Sequence, residues 1–273
     1  MWDNHVINLP QYTLYRGDIR DGNLLKHIFN DHNITSVIHL AAMAGVRNSL
    51  EDPLEYIDVD IKGTVNLLEA SRKNKIKRFI FASSSSVYGI NQEVPFTEQD
   101  RVDLQISPYA AAKRAGELYC GTYNHLYGMS ISCLRFFTVY GPRQRPEMAI
   151  HLFTDKIYKG EEIPVFGDGT SRRDYTYIDD IVNGVLQALV LEYDFEIFNL
   201  GNSYTISLQE IIVNIENALG KRAKIKRLAN QKGDVPVTFA DISHSKKRLN
   251  YNPSIDIYLG IKKFVNWYLE KQA

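Results

Sequence analysis

The sequence predicts an α/β fold: a doubly wound parallel sheet with helices on both faces, carrying a smaller interleaved lobe. Three observations predict it. Short β-branched or aromatic runs alternate with amphipathic stretches over the first two-thirds of the 273 residues. Several of those runs are continuously apolar, as strands covered on both faces must be. After Gly141 the texture changes, and Pro, Gly and Arg become dense. The length suits one large domain or two intimately joined lobes with a sizeable core.

The elements follow in order. "YTLYRGDI" (Tyr12–Ile19) reads as a strand end and "GNLLKHIFNDH" after it as a helix. "SVIHLAA" (Ser36–Ala42) is a continuous apolar strand. "DPLEYIDVDIKGTVNLLEASRKN" has helical periodicity with Pro53 near its start, where a missing N–H costs nothing. "RFIFASSSS" is a strand ending in serines, Pro108 to Tyr127 is helical, and "SISCLRFFTVYG" is a further strand. "GPRQRPE" and "GEEIPVFGDGTSRRD" read as loops. A helix ("YIDDIVNGVLQALVL"), a strand ("FEIFNLG"), a helix ("SLQEIIVNIENALG") and a C-terminal amphipathic helix complete the chain. Repeats and low-complexity linkers are absent from the sequence. The expected division is 1–140 plus 174–202 for the sheet domain and 141–173 plus 203–273 for the second lobe.

Composition narrows the partners. Lys+Arg and Asp+Glu are both 32, so neither a nucleic acid nor a membrane surface is expected as the main partner. The densest basic run, "SRKNKIKRF", reads as a helix C-terminus, where the dipole favours cations. Cys120 and Cys133 form no CxxC pair and sit in apolar segments, so buried reduced thiols are expected. The seven histidines make no HExxH or comparable cluster, and no metal site is expected. With no transmembrane-length apolar run and no signal-peptide start, the expected location is cytoplasmic.

The chemistry centres on "SPYAAAK" (107–113). Tyr109 and Lys113 lie one turn apart on one helical face, opening a helix after Pro108. Ser84 precedes Tyr109 by 25 residues, in the serine run that ends a buried parallel strand. Ligands bind at the carboxyl ends of such strands. A hydroxyl, a phenol and an adjacent ammonium make a proton-transfer site. Tyrosine, with a pKa near 10, is a poor base at neutral pH. A close lysine cation stabilises phenolate and should lower that value. Tyr258 and Lys262 repeat the spacing but lack the strand–serine element, so they are the chance pair.

At these residues the sequence resembles the extended short-chain dehydrogenase/reductase family, in its nucleotide-sugar epimerase and dehydratase branch. Seven motifs occur in order: "GDIRD" (17–21), "HLAA" (39–42), "SSSSVYG" (83–89), "SPYAAAK", "LRFFTVYGPRQRPEMA" (134–149), "PVFGDGTSRRDYTYIDDI" (164–181) and "GDVPVTFAD" (233–241). The resemblance implies a Rossmann-like NAD-binding domain (1–140 plus 174–202) and a nucleotide-sugar lobe (141–173 plus 203–273). By position, Asp18 and Ile19 would contact the adenine of NAD, and Ala41 and Ala42 would line its pyrophosphate–ribose path. Ser83 and Phe136 would border the cofactor. Tyr109 would be the general base, Lys113 would bind the nicotinamide ribose, and Ser84 would hold the sugar hydroxyl. Arg173 would grip the diphosphate of a UDP-sugar, Val165 and Phe166 would sit by the uracil, and Asp234 near the nucleotide ribose.

The implied reaction is epimerisation at C4 through a 4-keto sugar, with NAD used catalytically. The dehydratases usually have Thr-Asp-Glu where this chain has Ser84-Ser85-Ser86, which disfavours water removal. The string around Thr138 looks most like UDP-glucuronate 4-epimerases, where Ser85, Ser86 and Thr138 could hydrogen-bond a C6 carboxylate and Arg145 add positive charge. UDP-glucose or UDP-N-acetylglucosamine 4-epimerases, a 4,6-dehydratase and an inactive truncated relative acting as an interaction partner are the alternatives. A homodimer through helices 54–74 and 108–127 is implied as well.

One family feature is missing from the sequence. The first glycine is Gly17, and the only GxG is "GDG" at 167–169. A strand, a GxxGxxG loop and a helix that cradles the NAD pyrophosphate are therefore expected to be absent, about 40–60 residues in all. A fragment of an active enzyme is the favoured explanation. A stable non-enzymatic relative pairing with a full-length subunit is the other.

Overall fold

A computed structural model describes residues 9–191, 194–229 and 235–272. Among the described residues, four parallel strands form the central sheet in the order β1 (Ser36–His39), β2 (Arg78–Ser84), β3 (Ser130–Phe136) and β7 (Phe195–Leu200). The fold is α/β and Rossmann-like. Residue alternation along the strands decides which face each side chain serves. Phe79 and Phe81 of β2, with Ile131 and Cys133 of β3, pack against α1 (Gly22–Asp31), α4 (Gly63–Lys73) and α5 (Pro108–Tyr127). Ile80 and Leu134 face the other way, towards α7 (Ile178–Val190) and α9 (Ser243–Leu249). Both faces are covered, which is why β2 and β3 read as unbroken apolar runs. Cys120 and Cys133 are buried and unbridged. No helix among the described residues is long and apolar enough to cross a membrane.

The second lobe has two small sheets. One joins β4 (Thr138–Tyr140), β6 (Arg172–Tyr177) and β8 (Thr205–Ser207); the other pairs β5 (Glu162–Phe166) with β9 (Lys224–Leu228). Between them Ile150, Phe153 and Ile157 of α6 (Ala149–Lys159) meet α8 (Leu208–Leu219) and Ile261 and Phe264 of α10 (Ile257–Glu270). The lobes interleave: Tyr175 and Tyr177 belong to this core, whereas Ala240, Ile242 and Tyr251 belong to the core beside the central sheet.

Five expected elements need correction, four of them strands or loops. Tyr12–Ile19 forms no strand, because no described strand lies beside it to take up its backbone hydrogen bonds. The strand over 36–42 ends at His39; β1 is the edge of the described sheet, with Ile38 39% and Leu40 60% exposed. The run 130–141 is two strands. β3 follows β7 as far as Leu200, and after Phe137 the chain switches partner, so that Thr138 pairs with Tyr175 of β6. The 160–174 stretch is not all loop: Pro164 lies inside β5, and Gly167 and Gly169, both at positive φ, sit in the turn between β5 and β6.

The helix predicted over 52–74 is broken in a way periodicity did not reveal. A short α2 (Val46–Glu51) precedes α3 (Pro53–Tyr56), which enters a π-helical turn (Ile57–Lys62) before α4. Such turns insert an extra residue and re-aim the side chains around them.

Candidate active site

A cleft of ≈ 690 Å³ opens between the carboxyl ends of β2 and β3 and the second lobe. Its floor is built by strand ends. Parallel pairing puts Ser83 beside Arg135 and Ser84 beside Phe136. Ser84 ends β2 and caps a 3-10 turn (Ser85–Tyr88), its hydroxyl accepting from the Ser86 N–H at 3.1 Å. That turn carries Ser85 and Ser86 to the cleft wall.

α5 supplies the reactive side. Ser107 caps it, accepting from the Ala110 N–H at 3.1 Å, and Pro108 fills its first position. Tyr109, one residue on, faces the cleft with Ser84 in hydrogen-bonding reach of its phenol. The ring is held by the edge of Tyr56 at 6.2 Å between centroids. Lys113, one turn on, is buried; its Nζ donates to the Ala82 carbonyl at 3.0 Å and lies 5.9 Å from the Tyr109 ring centroid.

The electrostatics depart from the sequence reading. Burial raises the Tyr109 phenol above its ordinary value and outweighs the lowering by the Ser84 hydrogen bond, while the Asp60 charge pushes it further up. Burial also lowers the Lys113 ammonium, against the pull of Asp60. The lysine therefore does not produce a low-pKa tyrosine in the chain by itself. Desolvation of both groups is the reason.

The cleft gathers Ser83, Ser84, Ser85, Ser86, Tyr109 and Phe136 from one side. Thr138, Arg145, Phe166 and Arg173 come from the other. Arg173 is tied by its NH1 to the Arg172 carbonyl at 2.8 Å, and Arg145 pairs with Glu147 at 2.8 Å. Val165 does not line the cleft; it is 2% exposed, in the second-lobe core. Asp18, Ile19, Ala41 and Ala42 also lie outside the cleft. The Arg20 guanidinium holds the exposed Asp18 carboxyl at about 2, and Ile19 packs against Gly63 of α4. Asp234 lies outside the described residues.

Sequence reasoning missed four residues. Arg47 of α2 lines the cleft and stacks over Phe166 at 4.8 Å, bridging the two lobes. With Arg145 and Arg173 it makes, among the described residues, three guanidiniums against one lining carboxylate, Glu147, a field suited to a diphosphate. Glu117 and Arg135 form a buried pair behind the serines, and Asp60 is buried on the π-turn. Glu117 follows Lys113 by four residues, and Arg135 interrupts an apolar run, so both carried a readable signal. Arg47 and Asp60 carried none.

Known proteins share this arrangement along the chain. The model of the "NAD dependent epimerase/dehydratase family" matches residues 2–201. A UDP-glucuronate 4-epimerase of Thermodesulfobacterium geofontis is 47% identical over 268 residues, 98% of this chain and 82% of that protein. The UDP-glucuronic acid 4-epimerase of Bacillus cereus, solved with UDP-glucuronic acid and NAD, superposes with a TM-score of 0.92 at 34% identity, covering 98% of this chain and 85% of that one. The UDP-glucose 4-epimerase of Thermotoga maritima, solved with UDP-glucose, gives 0.91 at 32%, covering 98% and 88%. Since the likeness runs through the central sheet, α5 and both walls of the cleft, the chain belongs to the NAD-dependent epimerase/dehydratase family.

Proposed function

We propose that this chain epimerises a UDP-sugar at C4 with NAD, and that the sugar is UDP-glucuronate. The observation that carries the reading is the convergence of Ser84, Tyr109 and buried Lys113 at one end of a cleft rimmed by three arginines. The residues present fit the nicotinamide-ribose end of the cofactor: an ammonium has three donors, and Lys113 gives one to Ala82, leaving it able to donate to a ribose hydroxyl. Bound NAD supplies the acceptor and donor of the C4 hydride, together with a positive charge near the phenol. Tyr109 then takes the proton of the sugar 4-hydroxyl and returns it to the 4-keto sugar. Ser84 holds that oxygen in line. Arg173 and Arg47 take the diphosphate, Phe166 the uracil, and Ser85, Ser86 and Thr138 the C6 carboxylate, with Arg145 adding positive charge. In this reading 1–140 plus 174–202 serve NAD and 141–173 plus 203–273 serve the nucleotide sugar.

The proposed protein partner is a second copy of the chain. Ala111, Ala115, Leu118, Thr122 and Leu126 form an apolar stripe along α5, and Leu118 and Leu126 are 56% and 60% exposed. Leu54 and Ile57 are exposed on the neighbouring helix.

The test is turnover of UDP-glucuronate to its C4 epimer by the purified chain with NAD, followed by NMR, with UDP-glucose in a parallel arm. Tyr109→Phe is expected to lower the rate at least about 100-fold. Turnover of UDP-glucose alone would sink the glucuronate assignment, and an unaffected Tyr109→Phe the mechanism.

A further inference from the structure

The π-turn (Ile57–Lys62) places one carboxylate where nothing described answers it. Asp60 is 3% exposed; its Oδ1 accepts from the Met43 N–H at 2.6 Å, and its Oδ2 has no partner among the described residues. A buried carboxylate oxygen without a donor is costly and calls for one. The turn packs on α5, which carries the buried ammonium of Lys113. Lys113 gives one hydrogen bond, to Ala82, and keeps two donors. The two residues form no direct ion pair, yet the Lys113 charge works against the burial that raises the Asp60 carboxyl, so a single intervening donor such as water is the bridge that answers both.

The other ionisable groups around this pair leave it isolated. Tyr56, preceding the π-turn, donates its hydroxyl to the Gly45 carbonyl at 3.0 Å, and Tyr109 faces the cleft. Arg145 is exposed and paired with Glu147. Glu117, one turn beyond Lys113, is held by Arg135 at 2.9 Å. His39 of β1 is neutral: burial, then the Lys113 charge, pushes its imidazole down to about 3. The Thr64 hydroxyl donates to the Asp60 carbonyl and therefore accepts from His39 Nε2. That leaves the buried Nδ1 as a second acceptor without a donor.

We infer that Asp60 is the counter-charge of Lys113, a positioning residue that keeps the lysine cationic and seated beneath Tyr109 through one bridging donor. Asp60 does not touch the reacting atoms; it acts through the lysine. The inference deepens the proton-transfer role proposed for Tyr109 and Lys113 and rests on that reading for its consequence, but its test does not use turnover.

The Lys113 ammonium is titrated by NMR of lysine-13Cε-labelled full-length chain without ligand, and its signal is assigned by its loss in Lys113→Met. Asp60→Asn keeps the shape and removes the charge. The Lys113 midpoint is expected about one pH unit lower in this variant. Asp58→Asn, two residues away with its carboxylate on Arg20 and Lys62, should leave the midpoint in place. An unchanged midpoint in folded Asp60→Asn overturns the inference. Should Asp60→Asn fail to fold, the reciprocal measurement decides: in Lys113→Met the Asp60 carboxyl must titrate higher than in the native chain. A fixed Asp60 midpoint there also overturns it. Because no substrate is present, failure here leaves the epimerase reading standing, and failure of turnover leaves this coupling to be read by itself.

Discussion

Buried polar side chains around the cleft each have a defined task, and removing one has a calculable direction. Ser84 accepts from the Ser86 N–H and lies in reach of the Tyr109 phenol, so Ser84→Ala removes both a turn cap and the group proposed to orient the reacting hydroxyl. The expected result is a fall in kcat of about 10–100-fold with KM little changed, read by steady-state kinetics. His39 shows the reverse link, from a residue to stability. Its folded value of about 3 lies below the ordinary 6.5, so the unfolded chain binds a proton that the folded chain excludes. Stability from this group is therefore complete above about pH 6.5 and is lost as the pH falls towards 3. Urea unfolding across that window should show the loss in the native chain, and His39→Gln should flatten it.

α5 is the element that joins Tyr109 and Lys113 to the sheet. Its Glu117 accepts from Arg135 of β3 at 2.9 and 3.0 Å, from Ser83 of β2 at 2.6 Å and from Arg114 at 3.0 Å. Burial pushes the Glu117 carboxyl up, yet the Arg135 guanidinium outweighs it and holds the group below its ordinary range. One carboxylate thus pins the helix to the strand end that carries the serines. Glu117→Gln strands a 1%-exposed guanidinium and should cost about 3–5 kcal/mol in urea unfolding. Replacing both partners, Glu117→Gln with Arg135→Met, should recover a large part of that loss. If the double variant is no more stable than the single one, the pair is not what anchors α5. Gly116 completes the contact: a Cβ there would lie 2.3 Å from the Phe81 ring, so only glycine lets α5 approach β2 this closely.

At the scale of the whole molecule, the proposed assembly rests on the apolar stripe on α5 and the exposed Leu54 and Ile57. Burying such a stripe against a second copy would remove from water the side chains that this fold leaves uncovered. Leu118→Glu with Leu126→Glu is expected to turn a dimer into a monomer in sedimentation velocity while thermal stability of the chain changes little. A native chain that sediments as a monomer at all concentrations would refute the proposed pairing. The cleft itself is a property of this scale too, since Arg47 and Phe166 meet only because the second lobe folds back over α2.

Local pattern alone determined much of this protein. The helix over Pro108–Tyr127, the strand ending at Ser84 and the one-turn spacing of Tyr109 and Lys113 depend on periodicity and caps within a few residues, and these the sequence holds entirely. Tertiary structure decided the rest. Tyr12–Ile19 has strand composition, but a strand exists only beside a partner. The break at Phe137 follows from where β7 stops and β6 begins. The π-turn buries Asp60 on the side of α5, the helix that carries Lys113, 53 residues away in the chain. The direction of the Tyr109 shift reversed expectation because desolvation sums over every neighbour, and a sequence names only those adjacent along the backbone. Composition and spacing could name the groups proposed for proton chemistry; only packing could state how hard each proton is held.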